Sequence, residues 1–374
     1  MQTITEQSKI QRHVEPGLHV IALTRGPIEE LFITATPHNG DSFLRMFADV
    51  NRVVKEAGAT IITTDVFGIP PLEQEGMKAL RDVWGKTDWP ITWLAEGATA
   101  GISLTGVQVH AIRGADVKRI RVGDRVVGSV FQDAYARHCH LGDLWPANLT
   151  NPRGVQAREI YELMEATVRK AGMTFDNICR TWLYLDHILD WYGELNQVRN
   201  KFYKEHGTFD KLVPASTGIG GANSARSAMI ADAYAIELLD PKAKVFAVPS
   251  PLQCPALEYG SSFARAVEVD LPDHRTVWVS GTASIEPGGK TVYLDDIKGQ
   301  VQLTMDVVEA ILTSRKMTWH DVTRGVAYVK HASYAAEFRD YCARNELNMP
   351  FVTTENDVCR DDLLFEIEVD AVTV

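Results

Sequence analysis

A gapless internal repeat constrains this chain more than any other feature of its sequence. Met173-Thr174-Phe175-Asp176-Asn177-Ile178-Cys179-Arg180-Thr181-Trp182-Leu183-Tyr184-Leu185-Asp186-His187 aligns with Met317-Thr318-Trp319-His320-Asp321-Val322-Thr323-Arg324-Gly325-Val326-Ala327-Tyr328-Val329-Lys330-His331, 144 residues further on. Met, Thr, Arg, Tyr and His coincide, and apolar character matches at several positions between them. One supersecondary plan is therefore used at least twice. The surroundings agree: helical periodicity precedes each copy, starting at a glutamine, over Gln156 to Ala171 and Gln300 to Ser314. A second helix (Trp191 to His206, Tyr334 to Arg344) and a final strand (Ala228 to Leu239, Asp362 to Val372) follow each copy. A fainter third copy opens the chain, with strand Glu30 to Ala35, helix Ser42 to Ala57, turn Gly58-Ala59 and strand Thr60 to Phe67.

The pattern predicts three tandem α+β units at 1–114, 115–247 and 248–374, divided at Gly114-Ala115 and at the Pro-rich Val248-Pro249-Ser250-Pro251. Strands before the first helix and after the second make each unit one mixed sheet with two helices on one face. Three such units in one chain predict an intramolecular pseudo-trimer, for which a monomer is sufficient. Clefts form between neighbouring units, and in a fused chain two can decay while one keeps the chemistry.

The closing strand is where chemistry is expected. Glu366, Glu368 and Asp370 alternate with Phe365, Ile367 and Val369, so three carboxylates share one face. Open to water, they are ordinary solvated charges. In a cleft, burial and mutual repulsion raise at least one pKa and supply a protonated acid near neutral pH.

Composition narrows the partners. A net charge of −11 without clustered Lys or Arg argues against a nucleic-acid surface and for small molecules. No apolar run is long enough to span a bilayer, and Met1 to Glu6 lacks a basic-then-apolar leader pattern, so no membrane partner and a cytoplasmic location are expected. Five scattered cysteines without a C-x-x-C pair predict reduced thiols. His138-Cys139-His140 offers possible ligands, but adjacent residues on a strand face opposite ways and no second cluster completes a tetrahedral set, so no metal site is expected. Gly218-Ile219-Gly220-Gly221 lacks the Lys-Ser/Thr of a phosphate loop and reads as a turn between strands.

Several segments together carry a family resemblance. They are Arg180-Thr181-Trp182-Leu183-Tyr184, Asn196-Gln197-Val198-Arg199, Pro214 to Gly220, Tyr259 to Ala266, Ser280-Gly281-Thr282-Ala283-Ser284 and Cys359 to Glu366. In their order and number they resemble the chorismatases, within the YjgF/Rid superfamily of chorismate-mutase-like trimers, over roughly residues 115 to 374. The first unit fits the more degenerate N-terminal domain of that family.

The resemblance implies hydrolysis of chorismate with release of pyruvate and of 3-hydroxybenzoate or a dihydroxycyclohexadiene carboxylate, with no cofactor. Glu366, seven residues after Cys359, matches the proton donor to the enol ether, a step that needs a carboxylic acid kept neutral in a poorly solvated cleft. Cys359 is expected to shape the site, and in the family a cysteine there accompanies 3-hydroxybenzoate as product. For a substrate with two carboxylates, Arg199 and Arg265 are the binding candidates, with the hydroxyls of Tyr192, Tyr203 and Tyr259. Gly260 and Glu368 complete the expected binding set, and Arg180 and Arg360 are secondary candidates. Two alternatives stay open: a Rid-type imine deaminase and a small-ligand-binding homologue without activity. The deaminase pattern needs an arginine after the proline that precedes the last strand, and Pro214 and Pro350 are followed by Ala215 and Phe351.

Overall fold

The structure, a computed structural model, describes residues 8–38, 42–94, 104–223 and 225–374. The Met1 to Glu6 stretch lies outside them. Three six-stranded sheets account for the chain. The first holds β1 (Lys9–Glu15), β2 (Leu18–Arg25), β3 (Ile28–Ala35), β4 (Thr60–Gly68), β5 (Ile91–Leu94) and β6 (Leu104–Arg113). The second holds β7 (Lys118–Val122), β8 (Arg125–Gln132), β9 (Ala136–Leu144), β10 (Ile178–Leu185), β11 (Ala215–Gly220) and β12 (Met229–Leu238). The third holds β13 (Lys244–Val248), β14 (Ala266–Leu271), β15 (His274–Ala283), β16 (Val322–Val329), β17 (Phe351–Glu355) and β18 (Phe365–Thr373). Every sheet runs in the order first, second, third, sixth, fourth, fifth. Only the fourth and fifth strands pair in parallel, so each sheet is mixed.

Two helices cover one face of each sheet: α1 (Phe43–Ala57) and α2 (Glu73–Trp84), α3 (Arg153–Arg169) and α4 (Ile188–Glu205), α5 (Ile297–Ser314) and α6 (Ala335–Arg344). Each pair seals its own apolar core, as with Ile160, Met164, Leu195 and Phe202 under the second sheet and Met305, Val308, Ile311 and Phe338 under the third. The fold expected from the repeat is therefore present, three times over.

The repeated residues have identifiable tasks. Thr174 and Thr318 start matching capping boxes, their backbone N–H groups donating to Asn177 Oδ1 (2.9 Å) and Asp321 Oδ2 (2.7 Å), and so turn the chain into β10 and β16. The glutamines that open the helices tie them to the closing strands. Gln156 Oε1 accepts from Ala228 N (2.9 Å), and Gln300 Oε1 accepts from Leu364 N (2.8 Å) while its amide donates to Asp362 O (2.9 Å).

The three units close a ring about a pseudo-threefold axis, each placing its fifth strand against the next unit. Thr92 of β5 donates to Asp232 Oδ1 of the second unit (2.7 Å). Ala215 of β11 bridges Ala264 of the third unit, whose amide donates to Pro214 O (3.0 Å). Gln108 of the first unit donates to Gly325 O of the third (2.9 Å). One expectation is corrected here: Gly218 and Gly220 are strand residues of β11, because this edge must lie flat between units, and the chain turns only beyond them.

Candidate active site

Register along the closing strands shows what each inter-unit cleft can do. Glu366 of β18 pairs with Tyr328, Ile230 of β12 with Tyr184, and Gly106 of β6 with Phe67, which makes them equivalent positions of the three units. Only the third carries an acid. The space that a Cβ on Gly106 would enter is taken by Val352 of the neighbouring unit.

The cleft around Glu366 lies between the second and third units. Tyr192 and Arg199 come from one face of α4, Ser216 and Gly218 from β11, and Gly281 and Ala283 from β15. Tyr259, Ser261, Phe263 and Arg265 come from the segment that enters β14, and Cys359 and Arg360 from the loop that enters β18. Its free volume is small, about 40 Å³. A larger axial cavity of about 100 Å³, lined by His110, His140, Tyr234, Trp278 and Asp370 among others, lies apart from Glu366 and from these arginines. Chemistry, not size, identifies the site.

Glu366 is 5% exposed. Among the described residues nothing donates a hydrogen bond to its carboxyl group. Burial, reinforced by the charge of Glu368 and opposed by Arg180 and Arg265, pushes its pKa up to about 8. The neutral form of the acid is therefore favoured near neutral pH. Gly281 makes room for it, since a Cβ there would overlap the Glu366 carboxyl group and sit 3.1 Å from Thr217 Cγ2.

Three arginines line the cleft with this carboxyl group, and among the described residues none has a carboxylate within ion-pairing distance. Arg199, 1% exposed, donates to Asn196 Oδ1 (2.5 Å), is ringed by Tyr161, Tyr192 and Tyr203, and leaves its buried Nε without an acceptor. Arg265 donates twice to Cys254 O (2.9 and 2.8 Å), and its guanidinium lies 5.2 Å from the Tyr259 ring centroid. Arg360 donates to Gly289 O (2.8 Å), and its guanidinium lies 5.4 Å from the same Tyr259 ring centroid. Buried cations without counter-ions are costly unless a ligand supplies the charge.

Of the residues expected from the sequence, Glu366, Arg199, Tyr192, Tyr259, Arg265 and Cys359 are brought together. Cys359 lies in the loop before β18, not on a strand, and burial next to Glu366 raises its thiol to about 12, so it stays protonated. Gly260 stands behind the wall at φ 88, ending the short helical turn Ala256–Tyr259 that presents the tyrosine. Tyr203 does not line the cleft; it packs in the second unit's core behind Arg199. Glu368 does not line it either, being fully buried and engaged by Arg180, Trp182, Thr217 and Arg324. Ser216, Gly218, Ser261, Phe263, Gly281, Ala283 and Ile285 were not foreseen as lining residues; the Tyr259-to-Ala266 and Ser280-to-Ser284 segments were the available signal. The His138 ring bonds to Asp133 Oδ2 (3.0 Å) and Tyr234 Oη (2.7 Å), and no group of His, Cys, Asp and Glu suited to a metal occurs among the described residues. No helix among them is long and apolar enough to cross a membrane.

No family model matches the chain. A crystal structure of a chorismatase superposes with a TM-score of 0.63 at 17% identity, covering 91% of this chain and 98% of that one, so the fold is the chorismatase fold. In sequence the chain is 27% identical over 215 residues to a Streptomyces hygroscopicus protein named chorismatase, covering 51% of this chain and 60% of that protein. It is 28% identical over 245 residues to a protein of the same organism named 3-hydroxybenzoate synthase, covering 56% and 67%. The match thus spans about 60% of the chorismatase's own length. In sequence and fold alike the chain resembles the chorismatases, as its motifs imply.

Proposed function

We propose that this protein is a chorismatase-type enzyme that protonates the enol ether of chorismate and releases pyruvate. The observation that carries the reading is the pairing of one neutral, buried carboxylic acid with three arginines that lack protein counter-ions. A dianionic ring with an enolpyruvyl side chain complements both halves of that site. Arg199, Arg265 and Arg360 hold its two carboxylates, and the Tyr192 and Tyr259 hydroxyls orient it. Each charge-assisted bond contributes about 1.5–3 kcal/mol.

Glu366 then donates its proton to the terminal methylene carbon, and the cation that forms next to the ether oxygen is stabilised by the Glu366 carboxylate left behind. Capture of that cation by water and collapse of the hemiketal release pyruvate and the ring diol. Elimination and aromatisation instead give 3-hydroxybenzoate plus pyruvate with no net water consumed. Cys359, a neutral thiol against Glu366, decides how much room a water or ring hydroxyl has there. Together with the relative named for that product, it favours 3-hydroxybenzoate.

The test is to incubate the protein with chorismate, quantify pyruvate and identify the ring product. Wild-type turnover is expected, with a loss of about 10²–10⁴-fold in Glu366→Gln. Absence of pyruvate from the wild type would overturn the assignment, and ammonia release from amino-acid-derived imines would then identify a deaminase.

A further inference from the structure

We infer that Glu368 is a positioning residue: its carboxylate, fixed at the meeting point of all three units, keeps the neighbouring Glu366 in the neutral form that can donate a proton. The inference rests on Glu366 being the acid.

Glu366 and Glu368 occupy the same face of β18, one strand repeat or about 6.6 Å apart. Both are buried, yet their surroundings are opposite. Glu368 receives Arg180 Nη2 (2.7 Å) and the Thr217 hydroxyl on one oxygen, and Arg324 Nη1 (2.8 Å) and Trp182 Nε1 (3.1 Å) on the other. Four donors saturate an acceptor-only group, so adding a proton would break one of these bonds. Glu366 receives no such bond among the described residues. A proton shared by the pair therefore resides on Glu366, and the fixed negative charge beside it resists its ionisation.

The directions of the individual groups agree with this geometry. Against burial, Arg324 and Arg180 hold Glu368 below the ordinary carboxylate range, whereas burial and Glu368 raise Glu366. The groups facing Glu366 from other elements are Arg180 of β10 and Arg265 before β14, which oppose the effect, and Tyr192, Cys359 and Tyr328, which remain neutral. Arg199, Arg360 and Tyr259 complete that surround.

The clamp also gives the first unit a part in the site. Arg180 and Arg324 are the coincident arginines of the internal repeat, the first from the second unit and the second from the third, which also carries Glu368. Arg324 is in turn held by Asp65 of β4 (Nη2 to Oδ2, 3.3 Å) and faces Asp370 Oδ2 at 3.8 Å. Asp65 thus acts on the acid through Arg324 and Glu368, by keeping Arg324 on Glu368.

The titration of Glu366 tests this without any substrate. Infrared difference spectra against pH, with ¹³C-labelled glutamate, give the protonated-carboxyl band that is missing in Glu366→Gln. In Glu368→Gln its midpoint should fall by roughly one to two pH units, and the alkaline limb of kcat should fall with it. Glu368→Asp, which keeps the charge, should restore the wild-type midpoint. A folded Glu368→Gln whose midpoint stays in place overturns the inference. If that variant does not fold, Glu368→Gln/Arg324→Gln removes both members of one ion pair and should move the midpoint in the same direction by a smaller amount, Glu368 being the nearer charge. Failure of the substrate assignment would look different: a shifting Glu366 band with no chorismate turnover.

Discussion

As the proposed acid, Glu366 receives no hydrogen bond on its carboxyl group among the described residues, and this fixes its expected pH behaviour. The protonated form is the active one, so kcat/KM should be level below neutrality and fall about tenfold per unit as pH rises through about 8, measured by pyruvate release with saturating coupling. The sign is that of a raised carboxyl pKa: the competent state is lost on going alkaline. Gly281 is the second sensitive residue. Gly281→Ala pushes a methyl group into the Glu366 carboxyl group, so kcat should fall by at least about tenfold while thermal unfolding moves by only the few degrees that about 1–3 kcal/mol of crowding costs. The alternating acids of the closing strand were legible in the sequence because period two is a one-dimensional property. Which of them meets arginines was not legible. Arg180 is 188 residues from Glu368, and only folding brings them into contact.

At the scale of elements, α4 and the segment entering β14 face each other across the cleft. On α4, Tyr192 and Arg199 lie two turns apart on one face, a spacing open to inspection in the sequence. Tyr203, one turn beyond Arg199, is carried round into the core, so the same helical reasoning that placed the arginine overreached by a turn. The facing segment has no periodicity to read; its path is set by bonds such as Gln253 Nε2 to Ala283 O (3.0 Å) and Ile285 O (2.9 Å). Gly260 is its pivot, in a left-handed conformation that costs a residue with a Cβ roughly 1–2 kcal/mol. Gly260→Ala should therefore misplace Tyr259 and raise KM up to about tenfold, with kcat changing less; equal losses in kcat and kcat/KM would show that the turn acts in the transition state instead. The glycines of β11 show the opposite limit. Read alone they signal a turn, and only the parallel pairing with β10 and the neighbouring unit makes them strand.

For the whole molecule, the ring of three units offers three equivalent positions, and one of them is the proposed acid. Calorimetric titration with 3-hydroxybenzoate should give one site per chain, and Arg199→Met should weaken that site roughly ten- to a hundredfold; three sites, or no change in Arg199→Met, would place the ligand elsewhere. The ring was legible because the repeat recurs and each copy holds its own core. The division of labour among clefts was not, because Ile230 and Glu366 are 136 residues apart while the repeat is offset by 144, so the equivalence is visible only in strand register.

That equivalence bears on why the units are joined. In a ring assembled from three separate copies of one polypeptide, any residue chosen for one interface is imposed on all three. A buried acid and its unpaired arginines would then weigh on the assembly three times, and Gly106, which receives Val352, would have no counterpart able to carry a carboxyl group. A single continuous chain lets one locus be glutamate, isoleucine and glycine at once. Two of the three equivalent positions are thereby free to pack against their neighbours, and the proposed acid stands at the third alone.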